Sequence, residues 1–491
     1  MQTYGTTQQI VQQDNTENPR MGPTELEGKK YPAKAHAKKA KDFFLSKRPG
    51  GETSAAFFLG GADLLLYPYC DQTAPFRQNR YFYYLTGCEI PGCFVSFDLE
   101  SEKLTLFLPD IDYDDVMWSG LPLSIKDAKQ KYDVDEVLYV SEIEKSLKAF
   151  GSKEIFTTDT DVFKSKSFST LVKSGDQDFF YALDEARLTK DEFEIGLLKH
   201  AALITDNCHK AVMSALPIET NETHIHAEFM YHSVRQGAKN MAYDPICCAG
   251  PHCGTLHYVK NDSSTENQHS ILIDAGAEWN CYAADVTRCF PISGEWTKEH
   301  LEIYNIVSKM QDEAMEGIKP GASWEDLHLL AHKVLIKEFI KLGIFVNGTE
   351  EEIFASKASA MFFPHGLGHL LGMDTHDVAG HANYSDPDPL LVYLRLRRPL
   401  EKGMVVTNEP GCYFSPFLIE AGLKDPSKAK YIDMDVVEKY WYIGGVRIED
   451  DILVTSTGYE NLTGITKDPK EISAIVKAGI SRGKDYFHNI V

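Results

Sequence analysis

No stretch of the 491-residue chain holds 18 consecutive apolar residues, so the sequence predicts no transmembrane helix. It has no CxxC pair either. Its ten cysteines are scattered and only Cys247 and Cys248 are adjacent. That pattern argues against a zinc ribbon or a disulfide framework and predicts free thiols in a reducing compartment. Positive charge is in short supply, with 50 Lys and Arg against 72 Asp and Glu, a net of -22. Nucleic acid and anionic membrane surfaces need clustered positive charge, so neither is expected as a partner. The opening MQTYGTTQQIVQQDNTENPR is polar and lacks the apolar centre of a signal peptide. Residues 1–27 are expected to be a disordered lead, and the chain to work in the cytoplasm.

What is present is ordinary for a globular protein: 43% hydrophobic and 25% charged residues, over a length that suits two domains. The first, residues 28–185, reads as α/β. A helix is predicted over 33–47 and strands over 55–59, 64–67, 136–140 and 154–157. A hairpin is predicted from 93–99 and 104–108, and a helix over 141–150. This part carries no dense cluster of His, Asp and Glu and is expected to be a scaffold or gate. Near 183–190 a boundary is expected. Thr189 and Glu192 form a T-x-x-E capping box that predicts a long helix ending at Pro217. Residues 186–491 contain a faint repeat. Residues 216–229 (LPIETNETHIHAEF) and 318–330 (IKPGASWEDLHLL) each follow a long helical stretch with a Pro-containing turn, a Ser/Thr cap and a second helix. The repeat predicts an α+β, pseudo-two-fold domain around a central cleft.

Within it, residues 271–290 read ILIDAGAEWNCYAADVTRCF, two strand-like arms about a turn-prone middle. A turn centred between Trp279 and Asn280 sets Asp274 directly opposite Asp285, with Cβ atoms ~5 Å apart. Like charges so placed need a shared proton or a cation between them, unless the two are ordinary turn and edge residues. Three histidines lie within twelve residues: His365 and His369 in MFFPHGLGHLLG, and His376 beyond it. Gly366 and Gly368 argue against a helix and for an extended segment where backbones approach closely. Glu409 ends a β-branched stretch in VVTNEPGCYF. In GGVRIEDDILV, Arg447 and Glu449 share a strand face, and Glu449 needs Arg447 or a metal as partner. Asp274, Asp285, His369, Glu409 and Glu449 together give four carboxylates and one imidazole. Their charge of -4 matches two divalent cations. Oxygen-rich ligands suit Mn²⁺, with Co²⁺ or Zn²⁺ as alternatives.

The motifs IDAGAEWNCYAADVTR, HGLGHLLG, NEPGCYF and GVRIEDD resemble the proline-specific metallopeptidases of pita-bread fold, prolidase and Xaa-Pro aminopeptidase. APFRQNRYFYYLTG, residues 74–87, resembles their creatinase-like N-terminal domain. The likeness is greatest to eukaryotic prolidases and fungal Xaa-Pro aminopeptidases. It implies a cytoplasmic, manganese-dependent exopeptidase that releases the residue before proline from small peptides. It also implies a homodimer. By resemblance, Asp274 binds one metal, Asp285 and Glu449 bridge two, and His369 and Glu409 complete the other. Glu409 doubles as proton shuttle. His365 and His376 contact substrate and the developing oxyanion, and His257 and Tyr243 bind substrate. Arg447 sits beside the last ligand, and Arg395 clamps the substrate carboxylate. Methionine aminopeptidases share the ligand set without the N-terminal domain. A non-catalytic peptide-binding relative is the other alternative.

Overall fold

The computed structural model describes residues 22–48, 54–158 and 166–482. Most of the expected lead, residues 1–21, lies outside these. The N-terminal part is a mixed six-stranded sheet. Its strands are β1 (Ala55–Gly60), β2 (Phe94–Asp98), β3 (Lys103–Leu108), β4 (Glu136–Tyr139), β5 (Glu154–Thr157) and β6 (Lys173–Ser174), in the order β4-β3-β2-β1-β5-β6. The 93–99/104–108 hairpin forms as expected, antiparallel from Phe94↔Phe107 to Asp98↔Lys103. β1 reads AAFFLG and is buried throughout, because both faces of the sheet are covered. Phe57 packs on one side with Phe44 and Phe179, from helices Ala33–Ser46 and Gln177–Leu188. Phe58 packs on the other with Phe94, Phe107 and Phe168.

The strand expected over 64–67 does not form. A single bridge, Leu66↔Thr73, stands in its place, and Leu65 is 70% exposed. Its three leucines have no layer to pack against, so apolar composition alone did not make a strand.

Helix Glu192–Ala215 opens two residues later than the sequence predicts. Asp191, not Thr189, is the N-cap, and Asp191 with Glu194 forms the capping box. Both frames are legible in TKDEFE. Thr189 instead ends helix Gln177–Leu188 in an extended conformation, and Lys190 N–H bonds the carbonyl of Gly403. His36 of the N-terminal part bonds Asp191 Oδ2 through Nε2 at 2.9 Å and the carbonyl of Tyr84 through Nδ1. That ties the first sheet's helical layer to the start of this helix.

The repeat is present as two helix pairs. Glu192–Ala215 precedes Glu222–Arg235, and Lys298–Glu316 precedes Trp324–Leu342. The second pair is capped by Ser323 as expected, but the first by Asn221. The helices cover short strands. β7 (Asn240–Met241), β10 (Ala277–Trp279) and β11 (Tyr282–Ala283) form one sheet, and β8 (Ile246–Ala249), β9 (Ser270–Asp274) and β12 (Thr287–Pro291) another. β13 (Val405–Asn408) pairs β16 (Asp450–Val454), which pairs β17 (Tyr459–Asn461), and β14 (Gly411–Tyr413) pairs β15 (Gly445–Arg447). Gln311, fully buried in the third helix, donates through Nε2 to the carbonyls of Asn408 at 3.0 Å and Ile448 at 3.3 Å. The residues after those carbonyls are Glu409 and Glu449, so this helix fixes both strand ends. None of the described helices is long and apolar enough to cross a membrane.

Candidate metal centre

Asp274 ends β9 and Asp285 precedes β12. They are not directly opposite: the register pairs Asp274 with Thr287. The reason is the turn. Trp279 pairs with Tyr282, and Asn280 and Cys281 both hold positive φ (47° and 64°), as a type I′ hairpin requires. The turn therefore centres one residue later than the sequence predicts. Register moves by two, and a shift of two keeps side chains on the same face. Asp274 and Asp285 remain diagonal neighbours. Tyr243 Oη lies 2.6 Å from Asp274 Oδ1 and 2.5 Å from Asp285 Oδ1.

His365 and His369 lie on an irregular segment laid against β13, through the Leu370↔Val406 bridge and a Thr407 N–H to His369 carbonyl bond of 2.9 Å. No helix forms, as the glycines predict. A Cβ on Gly368 would sit 2.0 Å from the Thr407 carbonyl oxygen, so only glycine permits this approach. Trp324 Nε1, from the second helix pair, donates to the Gly368 carbonyl at 3.3 Å. His369 Nδ1 donates to the Leu370 carbonyl at 2.9 Å, which leaves Nε2 with its lone pair toward the cluster. Nε2 stands 3.3 Å from Asp285 Oδ2 and 3.3 Å from Glu409 Oε1. Donor atoms of Asp285, His369 and Glu449 all lie within 4.8 Å of one another.

The electrostatics call for cations. Burial, then the carboxylates of Asp285 and Asp274, push Glu409 up to about 7 against the pull of His369 and Arg447. Burial and the same neighbours raise Glu449 well above the carboxylate range. Burial opposes a charge on His369, yet Asp285 and Glu409 raise its pKa. Four mutually repelling carboxylates and an imidazole lone pair are a donor set that fits hard divalent ions. Of the two partners the sequence allows for Glu449, Arg447 or a metal, Arg447 makes no direct bond to it. Its guanidinium bonds Asp274 Oδ2 at 2.6 Å, Tyr413 Oη at 2.8 Å and Thr287 Oγ1 at 3.1 Å. Glu449 lies just outside β15, across from Thr287, and the Thr287 hydroxyl stands between it and Arg447, bonded to both.

Two threonines escaped the sequence reading. Thr287 Oγ1 donates to Glu449 Oε2 at 2.6 Å while accepting from Arg447. Thr407 Oγ1 accepts the His369 N–H and donates to Glu409 Oε1, both at 3.1 Å. Each stands two residues from a cluster carboxylate, Asp285 or Glu409, on the same strand face. Period two was the signal that could have found them. Tyr413 was also missed; it bonds His365 Nε2 at 2.8 Å.

The cluster opens into a cavity of about 840 Å³ that His257, His365, His376, Tyr243, Arg395 and Glu409 help to line. His365 is saturated: Nδ1 donates to the Gly366 carbonyl at 2.7 Å and Nε2 accepts from Tyr413. Burial, with Arg447 next, takes its pKa down to about 3. His376 stands edge-on to His369, ring centroids 4.5 Å apart, and burial with the His369 and Arg395 charges takes it to about 3. Both are neutral donors or acceptors at pH 7. In the arginine run, Arg397 is held by Glu325 and Asp386, and Arg398 by Glu185 and Glu401. Arg395 bonds only the Tyr384 hydroxyl, at 3.0 Å, among the described residues.

Two family models match. Residues 36–156 match the aminopeptidase P N-terminal domain, and residues 196–456, just over half the chain, match metallopeptidase family M24. The chain belongs to metallopeptidase family M24. The family implies divalent metal ions, and the pita-bread catalytic domain behind an aminopeptidase P-type domain is the expected two-domain architecture. The chain is 54% identical over 472 residues to an uncharacterised peptidase of Saccharomyces cerevisiae, covering 96% of this chain and 88% of that one. It is 44% identical to a protein of Sordaria macrospora named "Probable Xaa-Pro aminopeptidase", covering 92% and 97%. Among solved structures, aminopeptidase P from E. coli with the inhibitor Pro-Leu superposes with a TM-score of 0.75 at 29% identity, over 92% of this chain and all of that one. Pseudomonas aeruginosa aminopeptidase PepP gives 0.75 at 29%, over 92% and 99%.

Proposed function

We propose that this M24 metallopeptidase is an exopeptidase that hydrolyses the bond between an N-terminal residue and a following proline. The observation that carries it is that Asp274, Asp285, His369, Glu409 and Glu449 all line one cavity, with donor atoms of Asp285, His369 and Glu449 within 4.8 Å of one another. These five would hold two divalent ions, Mn²⁺ by preference for an oxygen-rich set. When bound, such ions acidify water and polarise a carbonyl. The chain's own part is positional and protonic. Glu409 accepts a proton from water at a carboxylate oxygen and returns it to the proline nitrogen, which has no hydrogen of its own and must be protonated to leave. His376 offers its ring N–H to the oxyanion, a contact worth about 3 kcal/mol where one such donor is lost. His365, kept neutral by burial and the Arg447 charge and oriented by Tyr413, contributes shape and an ordered wall beside Glu409. Tyr243 and His257 receive the first residue. Arg395, with no carboxylate partner among the described residues, suits a substrate's terminal carboxylate.

The N-terminal aminopeptidase P-type domain disfavours a methionine aminopeptidase, and the complete ligand set disfavours a non-catalytic binder. The chain is divided at residues 28–185 and 186–491, although residue 185 lies inside helix Gln177–Leu188. A homodimer in the cytoplasm is part of the proposal; its ten free thiols support a reducing compartment. Hydrolysis of Ala-Pro and Ala-Pro-Ala with added Mn²⁺, by the wild type and Arg395→Ala, tests it. Preference for the dipeptide, weakened by Arg395→Ala, makes the chain a prolidase. Equal or better cleavage of the tripeptide, indifferent to Arg395, makes it an Xaa-Pro aminopeptidase. Cleavage of neither refutes the reading.

A further inference from the structure

Arg77 lines the active-site cavity beside Ala242, Tyr243 and Thr375, and among the described lining residues it alone comes from the N-terminal domain. It precedes helix Arg80–Tyr84. Its Nη2 donates to the Ala242 carbonyl at 3.4 Å and stands 3.2 Å from Glu278 Oε2. Arg80, itself buried, makes the shorter contact with that same oxygen. One buried carboxylate therefore faces two guanidiniums. Arg80 neutralises it, and Arg77, its side chain 50% exposed, keeps N–H donors for the cavity. The other charges on the rim are Arg395, the exposed Asp244, and Asp374, which Arg187 holds at 2.7 Å.

We propose that Arg77 is a specificity-determining residue that binds a carboxylate of the peptide substrate on the Tyr243 side of the cavity. The proposal rests on the exopeptidase reading and adds to it the recognition of a substrate carboxylate. A guanidinium fork matches a carboxylate in planarity and donor spacing. Two parts of a short peptide supply that group, an acidic first side chain or the C-terminus, and both present the same chemistry to Arg77.

The test compares kcat and KM for Glu-Pro-Ala, Gln-Pro-Ala and their C-terminal amides, with Mn²⁺, for wild type, Arg77→Gln and Arg77→Lys. The wild type is expected to favour the carboxylate form about three- to fivefold, as for a half-exposed ion pair. Arg77→Gln loses that preference through KM with kcat retained, Arg77→Lys keeps part of it, and salt weakens it. Loss of the Glu-over-Gln ratio assigns the first side chain; loss of the acid-over-amide ratio assigns the C-terminus. No wild-type preference in either comparison, or an unchanged preference in Arg77→Gln, overturns the proposal. If the wild type cleaves nothing, the exopeptidase reading fails. Calorimetric binding of Glu-Pro-Ala and Gln-Pro-Ala to wild type and Arg77→Gln then decides Arg77 by the same ratios. Arg80 still holds Glu278 in the variant, so its thermal melt matches the wild type.

Discussion

Thr287→Val replaces one methyl-sized group by another and removes a single hydroxyl. That hydroxyl donates to Glu449 and accepts from Arg447. Without metal, burial and the neighbouring carboxylates of Asp285, Glu409 and Asp274 raise Glu449 well above the carboxylate range, which favours its neutral form. A hydrogen bond between neutral groups contributes about 1 kcal/mol. With divalent ions bound Glu449 must be ionised, and the same bond becomes charge-assisted, contributing about 2–3 kcal/mol. The difference, about 1–2 kcal/mol, is a roughly 5- to 30-fold loss of metal affinity, within the ~10- to 100-fold span for groups that orient metal ligands. Competition for Mn²⁺ against a chelating dye measures it, alongside thermal melts with and without metal. The metal-free variant is expected to melt about one degree lower and the metal-loaded variant about two to three degrees lower. Thr287→Ser, which keeps the hydroxyl, is expected to recover most of the affinity. Affinity within twofold of wild type for Thr287→Val, or a serine variant as impaired as the valine one, would refute the reasoning.

Buried histidines make stability fall in acid. Burial takes His300 to about 3 and His328 to about 4, so both are neutral in the fold. Below pH ~6.5 the unfolded chain binds the protons they refuse, so the stability present above that pH is lost as pH falls toward 3–4. Each costs about 2 kcal/mol at pH 5. Urea unfolding at pH 7.5 and 5.0 is expected to show the drop, and His328→Gln, able to keep the bond to the Leu390 carbonyl, a drop smaller by about 2 kcal/mol. An unchanged drop would count against it. Gly276→Ala sets a Cβ 1.7 Å from the Ala284 carbonyl oxygen, inside the hairpin that carries Asp274 and Asp285. Stability is expected to fall by about 1–3 kcal/mol or more, with weaker Mn²⁺ binding. A melt within a degree of wild type would show that the hairpin relaxes freely.

Local pattern carried much of the fold. A β-branched stretch put Glu409 at a strand end, Gly366 and Gly368 kept His369 out of a helix, and repeated helix–turn–helix units marked the two halves. What failed were matters of frame. TKDEFE offers two overlapping capping boxes, and only the Gly403 carbonyl waiting for Lys190 N–H selects the second. In EWNC the turn depends on Cys281 accepting a positive φ, which its residue type does not advertise. The 64–67 stretch looked like a strand because composition cannot say whether a second layer exists to bury it. Partner choice was least legible. Arg447 stands two residues from Glu449, yet its ion pair is with Asp274, 173 positions earlier. Thr287 and Arg77 likewise acquire meaning only through residues distant in sequence.

The most direct measurement follows release of the first residue from Ala-Pro-Ala and Ala-Ala-Ala as divalent metal is added to metal-free wild type and to Glu409→Gln. The account predicts cleavage of Ala-Pro-Ala alone, to Ala and Pro-Ala, rising with metal up to two equivalents and lost in Glu409→Gln. Turnover by Glu409→Gln, cleavage in the absence of metal, or indifference to the proline would contradict it.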